Sequence, residues 1–239
     1  GIQNTAMGAL AGDAITSGDF NTSLGYGSLS ATTTADMNTA IGRTALQSNT
    51  TGANNTAVGG QALQTSTTAA NNTAVGFGAL VQNTTANNNV AVGSSSLIAN
   101  TTGADNVAVG QGALQANTTA ANNTSVGRDS LAANTTGANN TALGKGAAET
   151  NVDGDQNVII GAAANTSATD GNAANVLGYS VSGAAGYTTL GNTNDDIRAA
   201  HGNVTWATVS DERYKKDIVD SAAGLLFINA LKPRTFKYK

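Results

Sequence analysis

A glycine recurs every seventeen residues, from Gly8 through Gly25, Gly42 and Gly59 to Gly178, with no insertion or deletion across eleven copies. No other feature limits the fold so strongly, because a fixed short period marks a repeat architecture in which each copy contacts only its neighbours. The residue before each of these glycines is aliphatic or Met, from Met7 and Leu24 to Ile160 and Leu177. Asn stands four residues before it in ten copies, Asn4 to Asn157. Leu stands four residues after it in seven consecutive copies, Leu29 to Leu131, and Thr eight residues after it in nine, among them Thr16, Thr84 and Thr135.

Seventeen residues are too few for a helical hairpin, and Thr/Val-Ala-Val-Gly reads as a short strand bounded by Asn and Gly. The period therefore predicts an all-β fold, a parallel β-solenoid (β-roll) of 17-residue coils over residues 1–185. Equivalent residues stack about 4.8 Å apart, and eleven coils make a rod on the order of 50 Å long. In this reading both aliphatic columns, pre-glycine and Leu, fill the core. The Asn column satisfies turn backbone groups, and the glycine takes a corner that a Cβ would obstruct. Exact spacing matters, since one added residue would reverse the inside–outside sense of the next strand.

Composition agrees with a thin core. Only 11% of the 239 residues are charged and 4% aromatic, with 29 Gly, one Pro, no Cys and a net charge of −4. Disulfides and thiolate metal sites are thereby excluded, and no cofactor or metal is expected. No apolar run approaches the roughly 20 residues of a membrane span, and no signal peptide is evident. The chain starts in mid-pattern, as a fragment or processed product would.

The pattern decays after Gly161. Residues 186–209 read as a neck of short strands and turns around the single His201 and the single Trp206, both expected to be structural. Chemistry then changes abruptly. Residues 201–239 hold seven Lys/Arg against four Asp/Glu, whereas residues 1–200 hold four against eleven. SAAGLLFINALKP (221–233) reads as a helix ended by Pro233, and RTFKYK as a strand. Residues 210–239 thus open a second, mixed domain with too little chain to complete it. Within VSDERYKKDI, Ser210 is a good N-cap, Asp211 and Glu212 suit a first turn, and Asp211–Lys215 and Glu212–Lys216 are favourable i,i+4 pairs.

The N-T-A-V-G-x-x-A-L repeat resembles the β-roll heads of trimeric autotransporter adhesins and, more closely, the repeat shafts of phage tail fibres. That resemblance implies a homotrimer of rods packed side by side. Ser210, Asp211, Arg213, Lys215 and Ile218, with Leu231, Pro233, Phe236 and Tyr238, are similar to the C-terminal intramolecular chaperone of endosialidase-type tail spikes; Tyr214 departs from that family's commoner Leu. This likeness implies a trimerisation chaperone that cuts itself off between Ser210 and Asp211, with Ser210 as nucleophile and Lys215 as its base. A capped helix and a Ser–Lys pair can coexist there. The function expected is a virion tail-fibre shaft for host attachment, with a host surface glycan or protein as partner. The alternative is a bacterial cell-surface trimeric adhesin. A third reading, an ice-binding solenoid, rests on the Thr columns, although pairs such as Thr101-Thr102 fall where turns are expected. Isolated acids such as Asp105, Asp129 and Glu149 make no glycosidase pair, and an acidic shaft is a poor nucleic-acid partner.

Overall fold

The computed structural model describes residues 1–193, 195–202 and 207–208. Ten three-residue strands open the chain: β1 (Thr5–Met7), β2 (Thr22–Leu24), β3 (Thr39–Ile41), β4 (Thr56–Val58), β5 (Thr73–Val75), β6 (Val90–Val92), β7 (Val107–Val109), β8 (Thr124–Val126), β9 (Thr141–Leu143) and β10 (Val158–Ile160). Then come β11 (Asn165–Thr166), β12 (Asn175–Tyr179), β13 (Ser182–Gly183), β14 (Tyr187–Asn192), β15 (Asp195–Ala200) and β16 (Ala207–Thr208). The described residues contain no helix.

β1 to β10 stack in chain order, each parallel to the next and in register at the 17-residue offset, as in Thr73↔Val90, Ala74↔Ala91 and Val75↔Val92. The fold is the expected parallel β-solenoid of 17-residue coils. β12 and β14 continue the same sheet, pairing Leu177 with Leu190 and Gly178 with Gly191. Gly191 thus takes the next place in the glycine column after a shorter coil. The sheet then turns antiparallel through β15 and β16, and β11 and β13 form a separate two-stranded pair.

One expectation is corrected. The aliphatic residue before each glycine points outward. Met7 is 67% exposed and Leu177 50%, and Val58, Val92, Val109 and Val126 are only half-buried. From β2 to β9 the buried member of each strand is the small middle residue, such as Ala57, Ala74, Ala91 or Ala108, and in β10 it is Ile159. Strand parity supplies the reason. Successive side chains alternate faces, and the Asn ahead of each strand is turned inward, fully buried at Asn38, Asn55, Asn72 and Asn89. Two residues on, the Ala shares its side. The pre-glycine aliphatic, one further, does not.

The core is therefore Ala, Leu and Asn. The Leu column is buried from Leu29 to Leu131, as expected. Each of these leucines has a left-handed backbone, φ +49° to +52°. That conformation costs about 1–2 kcal/mol in an L-residue. Full burial of a Leu contributes about 1.5–3 kcal/mol and covers the cost, while the turn aims the side chain into the coil.

The glycine column is required on two counts. Gly59 has φ +138°, and a Cβ there would lie 2.6 Å from the carbonyl carbon of Gly76 in the next coil. Two buried Asn ladders complete the interior. In the first, each Asn Oδ1 accepts the backbone N–H of its counterpart one coil on, as Asn89 does from Asn106 at 3.0 Å. Its Nδ2 donates to a turn carbonyl, that of Gly103 at 3.0 Å. The second ladder, Asn83, Asn100, Asn117 and Asn134, escaped the sequence reading. There Nδ2 donates to the preceding Asn Oδ1, as from Asn100 to Asn83 at 3.0 Å, and to the carbonyl three residues on, Gly103 for Asn100 at 2.9 Å. Its signal was the recurring Asn-Thr-Thr.

Candidate functional site

Three surfaces of the solenoid carry chemistry beyond holding the fold. The first is the outward strand face, where the pre-glycine column sets an aliphatic side chain beside an outward Thr or Val in each coil: Thr56 with Val58, Val90 with Val92, Val107 with Val109. The stripe runs the length of the sheet. It deepens near β12 and β14 into an apolar hollow of about 210 Å³, lined by Val158, Ile160, Leu177 and Leu190 with Asn175 and Thr188.

His201 lies near that hollow. It was expected to be structural. The structure puts its Nε2 3.3 Å from both Asn175 Nδ2 and Thr188 Oγ1, where the chain folds back along β14. The ring is exposed, and among the described residues no carboxylate hydrogen-bonds to it. This is a turn-holding contact rather than an acid–base site.

The second surface is the Thr pair of each coil. The first hydroxyl is engaged, since Thr84 Oγ1 donates to the Thr101 carbonyl at 3.2 Å and Thr101 Oγ1 to that of Thr118 at 3.0 Å. The second Thr, as at Thr85, Thr102 and Thr119, is exposed. Both lie in the bend after the Leu turn, off the flat strand face.

The third surface is the column just after the glycine. It holds Tyr26, Arg43, Phe77, Arg128 and Lys145, all exposed. Arg128 Nε donates to Asp129 Oδ2 at 2.8 Å. The other acids are dispersed. Asp36 accepts the Asp19 backbone N–H at 2.8 Å and Asp155 that of Ala138 at 2.6 Å, so they hold turns. Among the described residues no three His, Cys, Asp or Glu side chains are grouped to hold a metal, and no helix is long and apolar enough to cross a membrane. Ser210, Asp211 and Lys215, like Trp206 and the whole segment 209–239, lie outside the described residues.

The chain matches no known protein family, no curated protein and no solved structure.

Proposed function

We propose that the chain is the shaft of a homotrimeric surface-attachment fibre, in a phage tail or, as the alternative, on a bacterial cell, followed by a self-cleaving trimerisation chaperone that starts at Ser210. One observation carries the shaft reading: an aliphatic column left half-exposed along the whole sheet. Val75 is 36% exposed, Leu143 48% and Leu24 41%, on a rod that is otherwise mostly Asn, Thr, Ala and Gly. A continuous apolar stripe is unusual on a monomer and suits lateral association. With Ala as the middle strand residue, each coil also buries little apolar area alone, and packing against two further rods adds it.

Ice binding has weaker support, because the first Thr hydroxyl of each pair is already donated to a backbone carbonyl. The Ser210–Asp211 cut rests on the motif. Ser is a weak nucleophile and needs a base. Lys215 serves only if burial or neighbouring cations lower its pKa from about 10.4, which ties cleavage to assembly.

Sedimentation at micromolar concentration tests the reading. The wild-type chain should run as a trimer. Val75→Asp with Val109→Asp should give folded monomers, since both side chains point away from the core. A wild-type monomer would overturn it. For the chaperone, the mass of an extended precursor should show a chain ending at Ser210. Ser210→Ala and Lys215→Ala should stay intact, and cutting of Lys215→Ala at the wild-type rate would remove Lys215 as the base.

A further inference from the structure

We propose that the column after the glycines is a binding strip for an acidic polysaccharide chain lying along the shaft axis. The inference rests on the shaft reading and names the class of ligand the shaft meets. Arg43, Arg128 and Lys145 are the only cationic side chains in residues 1–197, and all three stand one residue after a column glycine. Tyr26, Phe77 and Tyr179 occupy the same column. These aromatic rings are among the most exposed apolar groups of the solenoid, Phe77 at 62%, Tyr179 at 60% and Tyr26 at 53%.

Nothing in the fold asks for this arrangement. Other columns are exposed too, including the second Thr of each pair, and would accept Lys or Arg without strain. Arg128 and Lys145 instead stack in adjacent coils, about 4.8 Å apart along the backbone. Like charges stacked in neighbouring coils repel one another. Asp129 offsets one of them through its 2.8 Å bond to Arg128, and an anionic ligand would offset the other. The Phe77 position also has room made for it by its neighbour. Gly60 precedes Phe77 in the column, and a Cβ there would sit 3.4 Å from Phe77 Cδ2. The ring thus lies over the bare backbone at Gly60 and remains 62% exposed.

Ligand class follows from the spacing. From Tyr26 to Lys145 the strip spans seven coils, roughly 34 Å. That length suits a polymer engaged at several weak points rather than a small molecule. A DNA duplex carries one negative charge per about 1.7 Å of axis, far more than three cations can neutralise. A glycan with a carboxylate on only some of its sugars matches the sparse cations, and its apolar ring faces can stack on Tyr26 and Phe77.

Affinity electrophoresis of the intact chain at low salt tests this, in gels containing hyaluronan, gellan or xanthan, each with a carboxylate on only some of its sugars, with dextran, polyglutamate and single-stranded DNA as controls. At least one acidic polysaccharide should retard the wild-type chain, and the controls should not. Arg43→Gln/Arg128→Gln/Lys145→Gln and, separately, Tyr26→Ala/Phe77→Ala should each weaken retardation at least about tenfold. No retardation by any acidic glycan, equal retardation by dextran, polyglutamate or DNA, or unchanged binding in either variant would overturn the strip. Sedimentation of the same samples separates the two readings. A trimer that binds no glycan refutes the strip alone, whereas a monomer refutes the shaft.

Discussion

Ser66→Asn should stabilise the protein. The second Asn ladder is interrupted once between Asn49 and Asn83, at Ser66, whose hydroxyl is buried and has no hydrogen-bond partner. The backbone there already has the ladder geometry. Ser66 N donates to the Leu63 carbonyl at 3.2 Å, as Asn83 N does to that of Leu80 at 3.1 Å and Asn100 N to that of Leu97 at 3.2 Å. An Asn at this place would give Nδ2 to the Ala69 carbonyl and to Asn49 Oδ1, and would accept from Asn83 Nδ2. Ala69 O already takes Asn55 Nδ2 at 2.8 Å, but such double acceptance occurs elsewhere in the fold. Gly52 O receives both Asn38 and Asn49, each at 2.9 Å.

Each added bond contributes about 0.5–1.5 kcal/mol net, and relief of an unpaired buried hydroxyl about 1–3. Ordering the Asn side chain costs up to about 1–2 kcal/mol. Even the low ends of these terms against the full ordering cost leave a net gain of about 0.5 kcal/mol, which for a chain of this size raises Tm by at least roughly 1–2 °C. Thermal unfolding followed by circular dichroism at fixed protein concentration reads it. Asn100→Ser is the mirror test. It removes the bonds to Asn83 and Gly103 and the one accepted from Asn117, and should cost about 2–4 kcal/mol. If Ser66→Asn is neutral or destabilising and Asn100→Ser is also neutral, the ladder contributes nothing and the reasoning fails.

The first ladder should be as sensitive. Asn89→Ala orphans the buried Asn106 N–H and is expected to cost about 2–4 kcal/mol by urea titration, against less than about 0.5 for the exposed Thr85→Ala. Gly76→Ala places a Cβ 2.6 Å from the Gly93 carbonyl carbon at a φ of +139°; it should destabilise by at least about 2–3 kcal/mol, and an unchanged melting curve would contradict the close approach. One Ala inserted after Gly93 should divide the rod, because every column breaks at that coil. Hydrogen exchange should then show lost protection on both sides of the insertion, and native protection there would sink the register argument.

The period alone determined a great deal here: a parallel solenoid, its coil length, the glycine corner, and a buried Leu column. Backbone hydrogen bonding between stacked coils demands that equivalent residues return at one fixed interval, and an interval is visible in a linear sequence. Which face of the strand is buried was decided only in three dimensions. Val-Ala-Val looks like two core residues flanking a small one. The tertiary structure reverses that sense, because the narrow coil admits Ala opposite Leu and because the inward Asn sets the parity of every residue after it. The same closure makes a polar ladder the centre of the core. Asn is ordinarily a surface residue, and its burial is favourable only once the coil above and the coil below both supply partners, as Asn72 and Asn106 do for Asn89. The strip of Tyr26, Arg43, Phe77, Arg128 and Lys145 likewise follows from the period, but its exposure follows from the fold. A side chain one residue beyond the glycine corner has left the strand, and the coil interior has no room for it.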